Sequence, residues 1–285
     1  MNPSPMVGEG PGDGFRAKAG FALIIVLWGL VLIGLLITHL TATGRYEARI
    51  AANEVSSASA ATAADGGIHM AVFYLTHSDP RLRWSPDGAV HDVTIGGAKV
   101  TVQIHNDGGL INPNLAPVTL MAALFRELGA DAGQASGLAS ALESWRDMAV
   151  QMRVGGVGER DYQAAGKNYG PPGSPMEDLD EMGRILGMTP ELAASTRPHL
   201  SLWNLAEFPL ADVADPVVAK ALDQAAQSPD NLPPAGAVRA NRLTVTVRAS
   251  ATVRSGASFV RQAVLRVGPG LQKGYQILAW ERLTE

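Results

Sequence analysis

The chain has 285 residues, 46% of them hydrophobic and only 18% charged, with 31 Gly, 18 Pro and no Cys. That composition excludes a disulfide framework, thiolate metal sites and cysteine nucleophiles, and its charge deficit points to a chain that does not face water everywhere. The net charge of −4 is uneven: residues 117–200 hold seven basic against eleven acidic residues, whereas residues 239–285 hold eight basic against two acidic.

Residues 1–20 are polar and rich in Gly and Pro. The next twenty, Phe21 to Leu40, carry no formal charge. As a helix they would extend about 30 Å, enough to span a bilayer core. Arg16 and Lys18 precede this run, and Arg45 and Arg49 follow it, so the positive-inside bias toward a cytoplasmic N-terminus is slight. The run is longer than the apolar core of a secretory signal, and no A-x-A site follows it.

Beyond the apolar run the chain stays helix-compatible to about Leu75. Tyr46, Ile50 and Val55, then Ile68, Val72 and Leu75, recur on roughly one face. This predicts an amphipathic continuation laid on a globular head, weakened or kinked at Gly66-Gly67 and ended by Ser78-Asp79-Pro80. Val93 and Ile95, then Val100 to His105, read as strands joined by a hairpin turn at Gly96-Gly97. Strand patterning then stops for over a hundred residues. It returns at Leu243 to Val253, Ser258 to Val267 and Tyr275 to Trp280. The middle reads as helices at Val118–Leu128, Gln134–Met148, Met176–Leu186, Pro190–Arg197 and Pro216–Ala226, with a Gly- and Pro-rich loop over Met148–Pro175. The expected fold class is α+β: one antiparallel sheet, a long N-terminal helix and a large inserted helical domain.

Chemistry is sparse. The six His are scattered without HExxH or paired spacing, and no GxSxG or phosphate loop is present. The chain is therefore not expected to be an enzyme. Trp145, Trp203 and Trp280 are expected in cores. Gly187 to Leu192 can be read as the turn of a helix-hairpin-helix, which would make the alternative a membrane-anchored DNA-binding or DNA-uptake protein. Phosphate contact needs Lys and Arg, and Glu177, Asp178, Asp180 and Glu181 beside the turn oppose it, so no nucleic-acid partner is expected.

Two sets of motifs carry a family resemblance. Lys18-Ala19-Gly20 followed by Phe21 and the apolar run resembles the leader of type IV prepilins and pseudopilins. This implies cleavage by a prepilin peptidase between Gly20 and Phe21, with methylation of the new N-terminus. The fifth residue after the cut is Glu in most of that family and Ile25 here, as is characteristic of the K type of type II secretion pseudopilins. Gly109-Leu110-Ile111-Asn112-Pro113-Asn114-Leu115-Ala116-Pro117, Trp145-Arg146-Asp147 and Gly187-Met188-Thr189-Pro190-Glu191-Leu192 resemble motifs of general secretion pathway protein K. The closing Tyr275 to Trp280 resembles its last strand. A second Asn motif of that family is degenerate here, at Trp203-Asn204 to Pro209.

The resemblance implies a minor pseudopilin fold with a leader at 1–20, a transmembrane and amphipathic helix at 21–77, a first part of the sheet at 78–108, an inserted helical domain at 109–236 and completing strands at 237–285. It implies an inner-membrane, single-pass protein with a cytoplasmic N-terminus and a periplasmic head. Its function would be to join the I and J types in initiating and capping the pseudopilus tip. Other implied partners are the remaining pseudopilins, the prepilin peptidase, the inner-membrane secretion platform and membrane lipid. Ile25, Tyr46, Ile50 and Val55 are the expected partner interface. Asp147, Glu159 and Asp161 are what remains of an acidic loop linked to calcium in that family, and they form the candidate calcium set.

Overall fold

The computed structural model describes residues 14–227 and 242–283; within the first helix, the side chains of residues 14–22 and 40–45 lie outside that description. Most of the expected leader, and the side chains of Gly20 and Phe21, therefore lie outside the described residues. The chain forms two compact units, one ending at Ala58 and one comprising Ser59–Glu285.

The first unit is described by helix α1, which runs over Gly14–Leu75 and continues into the second unit. From Leu23 to Ile37 its large apolar side chains are exposed on every side of the helix, Trp28 among them. A helix that is apolar all round has no single face to bury against a core. Among the described residues no helix is long and apolar enough to cross a membrane. The described side chains cover only Leu23 to His39 of the apolar run.

In the second unit, β1 (Asp87–Ile95), β2 (Ala98–Asn106), β3 (Leu243–Thr252), β4 (Ser258–Val267) and β5 (Tyr275–Leu283) form one sheet in sequence order. Every neighbouring pair is antiparallel. The β1–β2 turn has φ of 57° at Gly96 and 82° at Gly97. Positive φ at both central residues is what a two-residue hairpin matching the strand twist requires, and glycine adopts it without cost. The tail strands and the early hairpin thus complete one sheet, as the alternation predicted.

The C-terminal part of α1 covers one face of this sheet. Ala64, Ile68, Ala71, Val72 and Leu75 pack on Val100, Val102, Ile104, Val245, Val247, Ala249 and Leu265. The weakening expected at Gly66-Gly67 does not break the helix, for α1 is continuous there. A Cβ on Gly67 would lie 2.9 Å from Val100 Cγ1 and 3.0 Å from Ala249 Cβ. The helix keeps glycine there so that it can approach the sheet, and that packing outweighs glycine's low helix propensity. The stripe on the head also begins later than expected. Ala60 is buried, whereas Tyr46, Ile50 and Val55 are exposed. The helix ends at Leu75, before Ser78-Asp79-Pro80.

Between β2 and β3 the chain builds a second core from helices α2 (Val118–Glu127), α3 (Ala132–Arg146), α4 (Met148–Gln151), α5 (Glu159–Ala164), α6 (Pro190–Thr196) and α7 (Pro216–Ala226). Leu120, Leu124, Phe125, Leu138, Leu142 and Trp145 form its centre. Two expectations are corrected. The stretch after Met148 is not a plain loop, because Asp147 accepts a hydrogen bond from Ala149 N and Asp161 accepts one from Gly158 N, which start α4 and α5. The helix expected over Met176–Leu186 is a 3-10 helix at Leu179–Arg184, started by an Asp178–Glu181 capping box.

The insert and the sheet belong to the same compact unit. Asn106, the last residue of β2, pairs with Val245 of β3, so the chain leaves and rejoins the sheet on adjacent strands.

Candidate functional site

The motif residues of the insert converge on its loops. Ile111 pairs in parallel with Leu200 through Ile111 N–H to His199 O and Ser201 N–H to Ile111 O, both 2.9 Å. Two Asn side chains extend this pairing. Asn112 Nδ2 donates to Leu202 O at 3.2 Å and to Asn204 O at 2.6 Å, and Asn204 Nδ2 donates back to Leu110 O at 2.7 Å. Each Asn also accepts from the backbone two residues ahead, Asn114 N and Ala206 N. The motif that looked degenerate in the sequence has kept the one residue this reciprocal geometry uses.

Asn114 accepts from Met176 N and donates to Met176 O, which ties the first loop to the segment before the 3-10 helix. Arg146 sends Nη1 to Pro113 O and Nη2 to Ala116 O, so one guanidinium closes the same loop from the end of α3. Burial pushes that guanidinium below its usual range, with Glu143 and Asp147 opposing the shift. Trp145 Nε1 donates to Glu181 Oε2 at 3.0 Å. Burial alone would raise the Glu181 carboxyl. Hydrogen bonds from Glu177 N, Trp145 and Asp178 N, together with Arg184, hold it below the usual carboxylate range. Tyr162 is fully buried, its hydroxyl accepts from Leu186 N, and burial pushes its phenol up to about 12. Thr189 caps α6 by accepting from Leu192 N, with Pro190 in the first turn. The Trp-Arg-Asp and Gly-Met-Thr-Pro-Glu-Leu motifs are thus joints between loops and helix ends.

A further joint lies where the insert leaves the sheet. Asp107 is buried; its carboxylate accepts from Ser201 Oγ at 2.6 Å, on the insert, and from Thr246 Oγ1 at 2.7 Å, on β3. Burial raises its carboxyl, against the pull of those hydroxyls. Nothing local marks Asp107 in the sequence, since a lone Asp after a strand is ordinary. A cleft of about 570 Å³ opens beside it between the outer sheet face and the insert. His105, Glu177, Trp203 and Glu281 are among the residues that line it. Trp203, expected in a core, is 36% exposed at this cleft, while Trp145 is buried and Trp280 partly so.

The candidate calcium residues do not come together. Among the described residues no group of His, Asp or Glu could hold a metal ion. Asp147 and Asp161 cap α4 and α5, and Glu159 Oε1 accepts from Gln163 Nε2 one turn along the same helix. Carboxylates engaged at two separate helix starts do not supply the converging oxygens that calcium takes. The expected interface residues Ile25, Tyr46, Ile50 and Val55 are all exposed. The helix-hairpin-helix reading loses its first helix, because a 3-10 helix precedes α6.

A helix laid along an antiparallel sheet, with an inserted helical module whose motif residues join loops to one another, defines a mixed α+β protein. Residues 101–205 match the family model of the type II secretion system (T2SS), protein K. Among solved structures, a chain of the GspK-GspI-GspJ complex from the type 2 secretion system of enterotoxigenic Escherichia coli has a similar fold. The match has a TM-score of 0.57 at 16% identity and covers 85% of this chain and 99% of that one. No curated protein sequence matches the chain. Residues 101–205 thus resemble type II secretion protein K in sequence, and the chain shares the fold of a chain of that complex.

Proposed function

We propose that the chain joins I- and J-type minor pseudopilins to initiate and cap the tip of a type II secretion pseudopilus. The observation that carries this reading is the protein K match over residues 101–205, which spans β2 and the Asn-paired loops of the insert. The neighbour of similar fold comes from a complex of the K, I and J proteins, which supports the same partners here. Two physical features favour a terminal position. An insert occupying residues 107–242 between paired strands is hard to fit between subunits stacked above and below. Ile25 lacks the carboxylate that in other subunits pairs with a neighbour's terminal amine, and a carboxylate at membrane depth is costly without a partner.

The apolar side chains exposed all round α1 from Leu23 to Ile37 support a membrane anchor, with residues 1–20 as a cytoplasmic leader cut between Gly20 and Phe21 and the head in the periplasm. The inner membrane, the prepilin peptidase, the secretion platform and the other pseudopilins then follow as surroundings and partners. The mature N-terminus, determined with and without prepilin peptidase, tests the reading. A methylated Phe21 is expected with the enzyme and an intact precursor without it, and Gly20→Arg should block the cut. An intact Met1 in peptidase-competent cells would overturn it.

A further inference from the structure

We infer that the furrow between the flank of α1 and the inner face of edge strand β5 is a docking site for a partner subunit's α-helix, one presenting an apolar stripe that ends in a carboxylate. This rests on the proposed function and adds to it the surface and the chemistry of the contact. Asp65, His69 and Phe73 stand four residues apart on α1, one above another along a single flank. Arg261 of β4 and Arg282, Trp280 and Ile277 of β5 lie on the α1 side of the sheet. Arg282 pairs with Arg261, Trp280 with Ala263 and Ile277 with Leu265. A bulge between Val264 and Leu265 keeps Ile277 and Trp280 on the same side although they are three residues apart.

The two walls meet at two levels and run on side by side to a third. At one end Arg261 Nε donates to Asp65 Oδ1 at 2.7 Å. The Arg261 guanidinium lies 4.8 Å from the Phe259 ring and 5.4 Å from the Trp280 ring, and that of Arg282 lies 4.9 Å from Phe259. In the middle His69 and Trp280 are 5.9 Å apart. Four residues further along a helix is about 6 Å, and two steps along a strand about 7 Å, which sets Phe73 level with Ile277. Phe73 is 57% exposed and Ile277 41% exposed. Trp, Arg and a large apolar group in one strip is the composition of interface hot spots.

Charge and shape select the occupant. Two guanidinium groups face a single carboxylate, Asp65, which Arg261 already engages, so the charged end favours an acidic side chain. The other end is apolar. A trough walled by a helix and a sheet receives a cylinder about 10 Å across. Addition of a strand is disfavoured, because the bulge and the charges of Glu281 and Arg282 blunt the edge.

The test is the affinity of the full chain in detergent for the I- and J-type pseudopilins of its own secretion system, measured by calorimetry. Ile277→Asp and Phe73→Asp should each weaken binding about tenfold or more. Arg282→Glu should weaken it about fivefold and flatten its salt dependence. Leu205→Asp, on the insert, should leave it within about twofold, and all variants should melt like the wild type. If the wild type binds but Ile277→Asp and Phe73→Asp bind equally well, this site is overturned and the assembly reading stands. If the wild type binds neither partner at tens of micromolar, the assembly reading falls and this site with it.

Discussion

The sheet and the helical insert share one compact unit but are held together differently. The sheet buries a near-continuous layer of Val, Ile and Ala under α1, and its strands are fixed by long regular ladders. The insert has an apolar centre too, yet its loops are fixed by a few named polar atoms: Asn112, Asn114, Arg146, Glu181 and Asn204. Cohesion in the first region is a matter of volume, and in the second a matter of individual hydrogen bonds. Single substitutions should therefore act differently in the two regions.

The largest effect is expected at Arg146. Arg146→Ala removes two charge-assisted bonds and strands the carbonyls of Pro113 and Ala116, a loss of about 3–5 kcal/mol. Urea unfolding followed by tryptophan fluorescence should show the insert, with buried Trp145, melting early while the far-ultraviolet signal of the sheet persists. A single transition in both signals would erase the distinction between the regions and show that the Asp107 joint couples them fully.

Gly67 tests the sheet side. Gly67→Val drives side-chain carbon into Val100 and Ala249, and overpacking of this kind costs about 1–3 kcal/mol. Gly66→Ala is the control. Its Cβ would meet only the flexible Ile95 side chain, nearest at 3.2 Å, and the gain in helix propensity is about 1 kcal/mol. Thermal melting should move down for the first and stay level or rise for the second. Equal losses would mean that helix continuity, not approach to the sheet, is what Gly67 serves.

These two regions were not equally legible in the sequence. Period-two alternation revealed β3 and β4 to within a residue and the centre of β2 and start of β5, and Gly96-Gly97 revealed the hairpin, because both signals are local. Gly67 was misread for the opposite reason: its role depends on Val100 and Ala249, which lie far along the chain. In the insert, Pro190 and Pro216 marked helix starts, since the preference of proline for a first turn is also local. The motif residues Asn112, Arg146 and Asn204 stood out, but their partners lie 30 to 94 residues away, as in Arg146 to Ala116 and Asn204 to Leu110. No spacing rule could show that Asn204 answers Asn112. The carboxylates Asp147 and Asp161 looked like a ligand set because an acidic, Gly-rich loop and the capping carboxylates of two helix starts are written with the same residues.

A smaller effect is expected from the cap of α6. Thr189→Ala removes the side-chain acceptor for Leu192 N and should cost about 1 kcal/mol. The loss should appear as faster hydrogen exchange over Pro190–Thr196, with the sheet amides unchanged. Protection lost equally in β2 and β3 would mean that the insert's helices stabilise the sheet directly.

The smallest change is expected from Asp107→Asn, at the joint between the two regions. Its carboxyl is raised by burial, so the folded chain holds this proton more tightly than the unfolded chain does. Between the ordinary carboxylate range and the raised folded value, the native state binds more protons. The contribution of this group to stability therefore falls as pH rises through that window and is constant above it. Glu181 and Asp215, both lowered, act the other way: their contribution is full above the ordinary carboxylate range and is lost as pH falls through their folded values. Asp107→Asn keeps an acceptor oxygen for one of the two hydroxyls, offers its NH2 to the other as a donor and removes the buried charge, so at neutral pH stability should change by less than about 1 kcal/mol. Asp107→Ala loses both bonds and should cost about 2 kcal/mol. Denaturant melts of the three proteins from pH 4 to 7 check the sign. The wild type should lose stability relative to Asp107→Asn as pH rises across the lower part of that range. A wild type that gains on Asp107→Asn with rising pH would mean that the two hydroxyls outweigh burial, and that the joint between sheet and insert is held by an ionised carboxylate.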